Sequence, residues 1–376
     1  MDIRCYHIDA DGDRLILDGI CEEWFAVLWN RRFAKGDDFT IELPPTVRNI
    51  ALFSEGKVIE LMKPHPVTGA SEHVGIITTV SINSGERSVL TISGQSFDGM
   101  LERRILVDID YNSLTAMTAF RENAGDLAYP LRRFHALNFD TNTDIEDNGV
   151  FTYKFKTLAD YAGYLAANKG WGLRSSIVQG EMTRAFISGY NAVDRSIHQS
   201  NVKRVIFSDD FENASSFERS HNESGAVTGV VVGSNSKHND DTHVHIEEFT
   251  AYYGDASGFD RIEKFQQIEP ITFKEKIDDV VWELLDFEAT AKLAYNTSKP
   301  LFVPTTDFFG ADISIRDEWE TKFSLGDIVT VHNKAWNMSA DKQISEIREF
   351  WDADNITVTA TLGDPQKTLM EVFKKG

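Results

Sequence analysis

The chain carries only two cysteines in 376 residues, Cys5 and Cys21. Two are too few for a disulfide framework, and a zinc site needs a denser cluster. Both fall in strand-like sequence, where cysteine serves as a small buried hydrophobe. This usage is that of a protein folding in a reducing cytoplasm. No apolar run approaches the ~20 residues that span a bilayer, so no membrane anchor is expected. The opening MDIRCYHIDADGDR lacks a basic start and an apolar stretch, so it does not read as a secretory signal. Bases are outnumbered, 38 against 59 acids, for a net charge of −21. Gripping a nucleic-acid backbone needs clustered Lys and Arg. No specific nucleic-acid binding is therefore expected.

Catalytic signatures are also scarce. There is no Walker A loop, no dinucleotide fingerprint and no HExxH. Gly94-Gln95-Ser96-Phe97-Asp98-Gly99 approaches a nucleophile elbow, but Phe97-Asp98 intervenes where the elbow needs a glycine two residues after the serine. It reads as a strand-to-helix turn. Asp9–Asp13 and Asp140–Asp144 alternate carboxylates as a calcium loop does, yet lack glycine at the sixth position and glutamate at the twelfth. Both read as turns. His238, Asp240, Asp241, His243 and His245 form the one dense group of metal-ligand types. On a strand, His243 and His245 would project to one face, but a solvated loop beside a strand edge is the expected reading. No constellation amounts to an active site, so no catalytic, cofactor-binding or metal-binding residue is assigned and no cofactor is expected.

What is present is β-rich sequence. Hydrophobic content of 41% and aromatic content of 11% describe a folded chain, long enough for about two to four domains. Ile3–Ile8 and Arg14–Leu17 flank Asp11-Gly12 as a hairpin. Strands follow at Trp24–Phe33 and Phe39–Leu43. His73–Ile82 and Arg87–Ser93 flank Ser84-Gly85 as a second hairpin. The spacing predicts a helix over Ser113–Ala124, capped by Ser113, and a loop over Asn138–Asn148. A helix is expected over Leu158–Lys169, capped by Thr157 and ended by Gly170, with Leu158, Tyr161, Ala162 and Leu165 on one face. Strands are expected at Trp171–Ile177, Met182–Ser188, Val202–Phe207, Ala226–Val232 and Thr242–Tyr253. Thr272–Glu275 reads as a capping box for a helix over Phe273–Asn296. In Leu325–Leu362, turns at Gly326 and Asp352–Asn355 bound strands. There Ile356, Val358, Ala360 and Leu362 alternate with threonines, and Ile344 and Ile347 fall near one face. Gln366–Lys374 reads as a last short helix.

The expected fold class is therefore a β-rich α+β multidomain chain, with barrel-like sequence at both ends. Several stretches in order resemble one known family. They are Trp29–Phe33 followed by Gly36–Pro44; Gly75-Ile76-Ile77, then Leu90–Gly94 running into Leu101–Ile105; Ser257–Arg261; and Leu325–Val331. The chain resembles the tail hub (baseplate hub) proteins of long-tailed bacteriophages and prophages, the siphophage tail family of this length. That family is similar in fold to the myophage baseplate hub and to the base of the type six secretion spike.

The resemblance implies two related small antiparallel β-barrels with inserted α/β segments. Residues 1–108 would form the first barrel and 109–200 an α+β insertion. Residues 201–235 and 301–364 would form the second barrel, 236–300 an α/β excursion with a long helix, and 365–376 a tail. It implies a structural virion protein of the tail, made in the bacterial host cytoplasm. A homotrimer of paired barrels would join a sixfold tail tube to a threefold tip and leave a channel for DNA. An acidic wall suits such a channel. Implied partners are the distal tail protein or tail-tube ring, a tail-tip fibre or spike protein, and the tape measure protein. Because the chain stops soon after its last strands, it reads as a hub without a cell-wall enzyme. Two other readings compete. One is a peptidoglycan or carbohydrate hydrolase using the His238–His245 region. The other is a carbohydrate-binding module for host attachment, presenting tryptophans such as Trp171, Trp319, Trp336 and Trp351.

Overall fold

A computed structural model describes residues 1–63, 65, 69–85, 88–107, 115–125, 131–147, 150, 153–179, 182–211, 213–222, 227–239, 244–277, 280–298, 306–312, 321–352 and 355–363. The chain divides into two compact units. One spans Met1–Glu218 with Phe309–Gly376, the other Arg219–Phe308.

Strands β1 (Ile3–Ile8) and β2 (Leu15–Cys21) form the first hairpin. Gly12 turns it at φ +73°, as the Asp-Gly pair predicts. Strands β3 (Ala26–Arg32) and β4 (Asp38–Leu43) form the second. Helix α1 (Val47–Leu52) and strand β5 (Val58–Leu61) follow, both too short to announce a period. Strands β6 (Val74–Ser84) and β7 (Ser88–Ser96) make the third hairpin, closing where Ser84 pairs with Ser88. In β7, Leu90 and Ile92 turn inward and Val89 and Thr91 outward, the alternation of a half-buried strand.

Helix α2 (Ala116–Ala124) begins after Thr115, and the expected cap Ser113 lies outside the described residues. Strand β8 (Leu137–Asp140) stands where a loop is expected over Asn138–Asn148. Leu137 and Phe139 bury while Asn138 and Asp140 face outward, so a polar composition concealed a short strand. Helix α3 (Leu158–Lys169) forms as expected. Thr157 and Asp160 close a capping box, and Gly170 ends the helix at φ +61°. Its buried stripe is Leu158, Tyr161, Leu165 and Ala166. Strands β9 (Trp171–Val178) and β10 (Arg184–Asn191) pair antiparallel, and β8 joins β10 in parallel. Strand β11 (Ile206–Ser208) is shorter than expected.

Strand β12 (Ser215–Asn222) opens the return to strand-rich chain. Strands β13 (Gly229–Asn239), β14 (Val244–Tyr253) and β15 (Glu263–Gln267) form one sheet of the smaller unit, ordered β14–β13–β15. Strands β16 (Ile271–Ile277) and β17 (Val280–Asp286) form a hairpin, and helix α4 (Phe287–Ser298) follows. The long helix expected over Phe273–Asn296 is thus wrong in its first half. Ile271, Thr272, Ile277, Val280 and Val281 are β-branched, and such density favours extended chain. Thr272 and Glu275 consequently sit in a strand and not at a helix start. Val230, Val232, Ile268 and Ala294 form the small core of this unit, and Tyr253 Oη donates to the Ala291 carbonyl at 2.9 Å.

Strand β18 (Thr306–Asp312) pairs with β12. Strands β19 (Ile328–Asn333), β20 (Met338–Asp352) and β21 (Ile356–Leu362) complete the larger unit. The helix expected over Gln366–Lys374 lies outside the described residues.

The two β-rich ends of the chain join in one eleven-stranded sheet. Its order is β11–β19–β20–β3–β4–β7–β6–β5–β1–β2, with β21 also on β20. Strand β20 is the joint. Residues Met338–Gln343 pair with β19, Glu346–Asp352 pair with β3, and Ile344–Trp351 pair with β21. A bulge at Ile344/Glu346 shifts the alternation by one, so Ile344 and Ile347 both bury despite their three-residue spacing. The ion pair Arg32–Glu346 at 2.9 Å spans the β3–β20 joint. The path ends at β11 and β2, and no pairing among the described residues closes it into a barrel. What the structure gives is therefore a β-rich chain of several open sheets with a few helices.

Three apolar clusters cover this sheet. Trp29, Phe39, Ile41 and Trp351 belong to one, Phe207, Phe323 and Val331 to a second, Phe120, Tyr161 and Trp171 to a third. Trp29 stacks on Phe39 at 4.9 Å and 16°, a geometry worth about 0.5–1.5 kcal/mol beyond area burial.

Candidate functional site

The sequence-level candidates resolve into structural roles. Ser96 ends β7, and its Oγ accepts from the Asp37 amide at 2.8 Å and the Gly99 amide at 3.4 Å. It sets a strand-to-helix turn into the short 3₁₀ segment Gly99–Arg103. Asp9 Oδ1 accepts from the Asp13 and Arg14 amides. Asp140 accepts from the Asn142 amide, and Asp144 from the amides of Met117 and Ile145. Both acidic stretches are thus turn and cap chemistry. The backbone pairs His238 of β13 directly opposite His245 of β14. His243, Asp240 and Asp241 lie outside the described residues, as does Trp319. Trp171 and Trp351 are buried, while Trp336 is 48% exposed. Cys5 and Cys21 are buried thiols, as expected, and burial pushes Cys5 up to about 12. Among the described residues no group of His, Cys, Asp or Glu could hold a metal ion. No helix among them is long and apolar enough to cross a membrane.

The densest chemistry is a buried ionic network that the sequence did not single out. Glu72, just before β6, is its centre. Arg31 of β3 donates to one carboxylate oxygen at 2.7 Å and Arg174 of β9 to the other at 2.9 Å. Burial disfavours the charge on Glu72, but Arg31 and Arg174 outweigh it and hold the carboxyl at about 2. Arg174 also lies 4.2 Å from the Tyr190 ring centre, a cation–π contact. Next along the chain, His73 Nε2 donates to Glu349 of β20, which also receives Lys63 Nζ. His73 and Glu349 are buried. Burial keeps His73 below its usual range and neutral. Burial opposes ionisation of Glu349, but His73, Lys63 and Arg31 together hold it well below the usual carboxylate range.

A pair of acids completes the network. Asp37, in the β3–β4 turn, accepts from the Arg32 amide at 2.9 Å and from Trp29 Nε1 at 3.3 Å. Asp98 accepts from Ser175 Oγ at 2.7 Å and its own amide donates to that oxygen at 3.1 Å. Burial and the nearby Asp98 push Asp37 up to about 7, and burial raises Asp98 as well. Raised carboxyls are the ingredients of acid–base chemistry. Here Asp37 is engaged by a turn amide and an indole, and Asp98 by a hydroxyl. Beside them Arg31, His65, Glu72, Arg174, Tyr190, Ser324 and Leu325 line a cavity of about 20 Å³, room for roughly one water. The arrangement ties β3, β9 and β20 to the chain leading into β6. One signal in the sequence did point to it. Ile347, Glu349 and Trp351 share the inward face of β20, so an acid interrupts an apolar stripe.

None of the curated proteins matches the sequence. Among solved structures, the 43 kDa tail protein of prophage MuSo2 from Shewanella oneidensis has a TM-score of 0.51 at 10% identity, covering 96% of this chain and 98% of that one. This likeness is one of fold. The tail protein from Neisseria meningitidis MC58 follows at 0.49 and 13%, covering 96% of each chain. Prophage tail protein gp18 from Listeria monocytogenes EGD-e stands at 0.47 and 7%, covering 100% and 98%. The resemblance drawn from the sequence, to a siphophage family whose fold is that of tail proteins, is borne out. The model of the family described as Siphovirus ReqiPepy6 Gp37-like protein matches residues 9–364, so the chain belongs to that family.

Proposed function

We propose that this chain is a structural protein of a siphophage or prophage tail, a hub that joins the tail tube to the tip. The family match over residues 9–364 carries the reading. The end-to-end likeness in fold to a prophage tail protein supports it. The buried network fits a load-carrying part, because it ties strands from distant stretches of chain. In this reading the protein acts without catalysis, cofactor or metal, and its place is the virion tail. Three copies would form a ring with a channel for DNA, and the net charge of −21 would keep DNA from adhering to its wall.

The finer division belongs to the same proposal. Residues 1–108 would form one curved barrel-like half and 201–235 with 301–364 the other, with 109–200 and 236–300 as insertions and 365–376 as a tail. Neighbours would be the tail-tube ring or distal tail protein, a tip fibre or spike, and the tape measure protein. Removal of this chain from the particle's genome tests the reading. Heads should still fill, while tails should be missing or should end without a tip. Complete, infectious tails in its absence would refute it.

A further inference from the structure

Two exposed surfaces of the larger unit have opposite character. The first is basic and apolar. Residues 104–107 run against 155–158, with Leu106 donating to the Lys156 carbonyl at 2.9 Å and Phe155 to the Leu106 carbonyl at 2.7 Å. Arg104 Nε donates to the Arg132 carbonyl at 2.5 Å and brings residues 131–134 alongside. Leu131 is 98% exposed, Phe155 72% and Ile105 43%. Lys154 Nζ lies 5.5 Å from the Phe155 ring centre, Arg132 donates to the Ile105 carbonyl, and Arg103, Arg104 and Lys156 adjoin these residues in sequence. Burial and the neighbouring Arg132 and Arg103 lower Arg104, the mark of crowded cations. Phe155 stands at φ +68°, a left-handed conformation that costs a bulky side chain about 1–3 kcal/mol. Within this chain, burial of the ring does not offset that cost.

The second surface is acidic and aromatic. After β11 the chain turns through Asp209-Asp210-Phe211, and Phe211 is 61% exposed. The Ser208 hydroxyl and Asp209 carboxylate accept from the Asp210 amide and hold the turn. Asp210 meets Lys334 at 3.2 Å, an exposed pair of little strength.

The two surfaces attach to different termini of the sheet path. The basic patch is tied to the β1–β2 hairpin, by Arg133–Asp13 at 3.1 Å and by the Ala136 amide on the Gly12 carbonyl at 2.8 Å. The acidic turn follows β11, the other terminus of the path. We propose that copies of this chain associate head to tail, the basic patch around Phe155 and Leu131 receiving the Asp209–Phe211 turn of the next copy. Charge complementarity identifies the occupant: a chain of net charge −21 concentrates cations around exposed apolar side chains, and itself carries an acidic turn with an exposed ring. A contact between two different surfaces closes into a ring or runs on as a filament. This deepens the trimer reading by naming the contact.

Sedimentation of the full chain tests it. Wild type should associate as concentration rises, and less so in high salt. Lys154→Glu with Lys156→Glu should weaken association at least about tenfold, and so should Asp210→Lys. Mixing these two variants lets the wild-type patch of one receive the wild-type turn of the other, so mixed dimers should appear at concentrations where each variant alone stays monomeric. Phe155→Gly should lose association while its melting temperature holds or rises, because the strain is relieved. Variants that assemble as wild type would overturn the contact, as would a mixture that forms no dimers, or a wild type monomeric at every concentration. Loss of oligonucleotide binding in the same variants, with assembly intact, would assign the patch to nucleic acid and overturn it too. If the chain sits in tails yet these variants assemble unchanged, the hub reading stands and only the contact falls.

Discussion

His73 and Glu349 meet in the interior although 276 residues separate them in the chain. The imidazole Nε2 donates to the carboxylate, and His73 Nδ1 has no hydrogen-bond partner among the described residues. That leaves an acceptor lone pair unmet, a smaller cost than an unmet N–H, and fits a neutral ring. The pair sits where the N-terminal and C-terminal strands become one sheet.

Glu349→Ala should therefore be severe. It leaves His73 and Lys63 facing an empty buried site, and loss of one partner of a buried pair costs about 3–5 kcal/mol. Glu349→Gln keeps an acceptor for His73 and should cost about half as much. Urea unfolding of both variants checks the order, and equal, small losses would contradict the joint.

Acid stability should depend on Glu72. Its folded value is about 2 against an ordinary 4.5, so it binds protons less readily when folded. The stability it contributes is complete above pH 4.5 and is lost as pH falls toward 2. Glu72→Gln should lower stability at neutral pH and flatten this acid limb. A wild-type limb that survives the substitution would assign acid sensitivity elsewhere.

Asp37 should act in the opposite sense. Its folded value is raised from 3.8 to about 7, so folding takes up a proton between these values. Its contribution is complete below pH 3.8 and is lost as pH rises through 7. Asp98→Asn removes the neighbouring carboxyl, so Asp37 should titrate lower and the loss over this range should shrink. Thermal melts across pH 4–8 read this directly.

Thr157→Ala should cost about 1 kcal/mol, the usual worth of an N-cap. Its hydroxyl accepts from the Asp160 amide at 3.0 Å. Amide exchange should quicken first at Asp160 and Tyr161, in the opening turn of α3. Unchanged protection there would show that tertiary packing alone holds the helix.

Local chemistry was legible where a few residues decide the outcome. Asp11-Gly12 announced the first hairpin, and Thr157 with Gly170 bounded α3. Alternating Val358, Ala360 and Leu362 gave β21, and all three are buried. Elements of four to six residues, such as β5, β8 and α1, are too short to carry a period. The β16–β17 hairpin is hidden in the sequence because Ile277, Val280, Val281 and Leu284 also fit helical spacing, while the β-branching of Ile277, Val280 and Val281 favours extended chain. Long-range pairing was not legible at all. Nothing local to Arg31 or Arg174 names Glu72 as their partner, and nothing in β3 names β20. Two barrels were expected from the β-rich ends, whereas β20 draws both ends into one open path.

Cryo-electron microscopy of the intact particle is the most direct test of the proposed place in the tail. The account predicts density for the eleven-stranded sheet at the junction of tube and tip, in three copies around an open axis. The sheet found in the capsid, in a side fibre, or absent from the particle would contradict it.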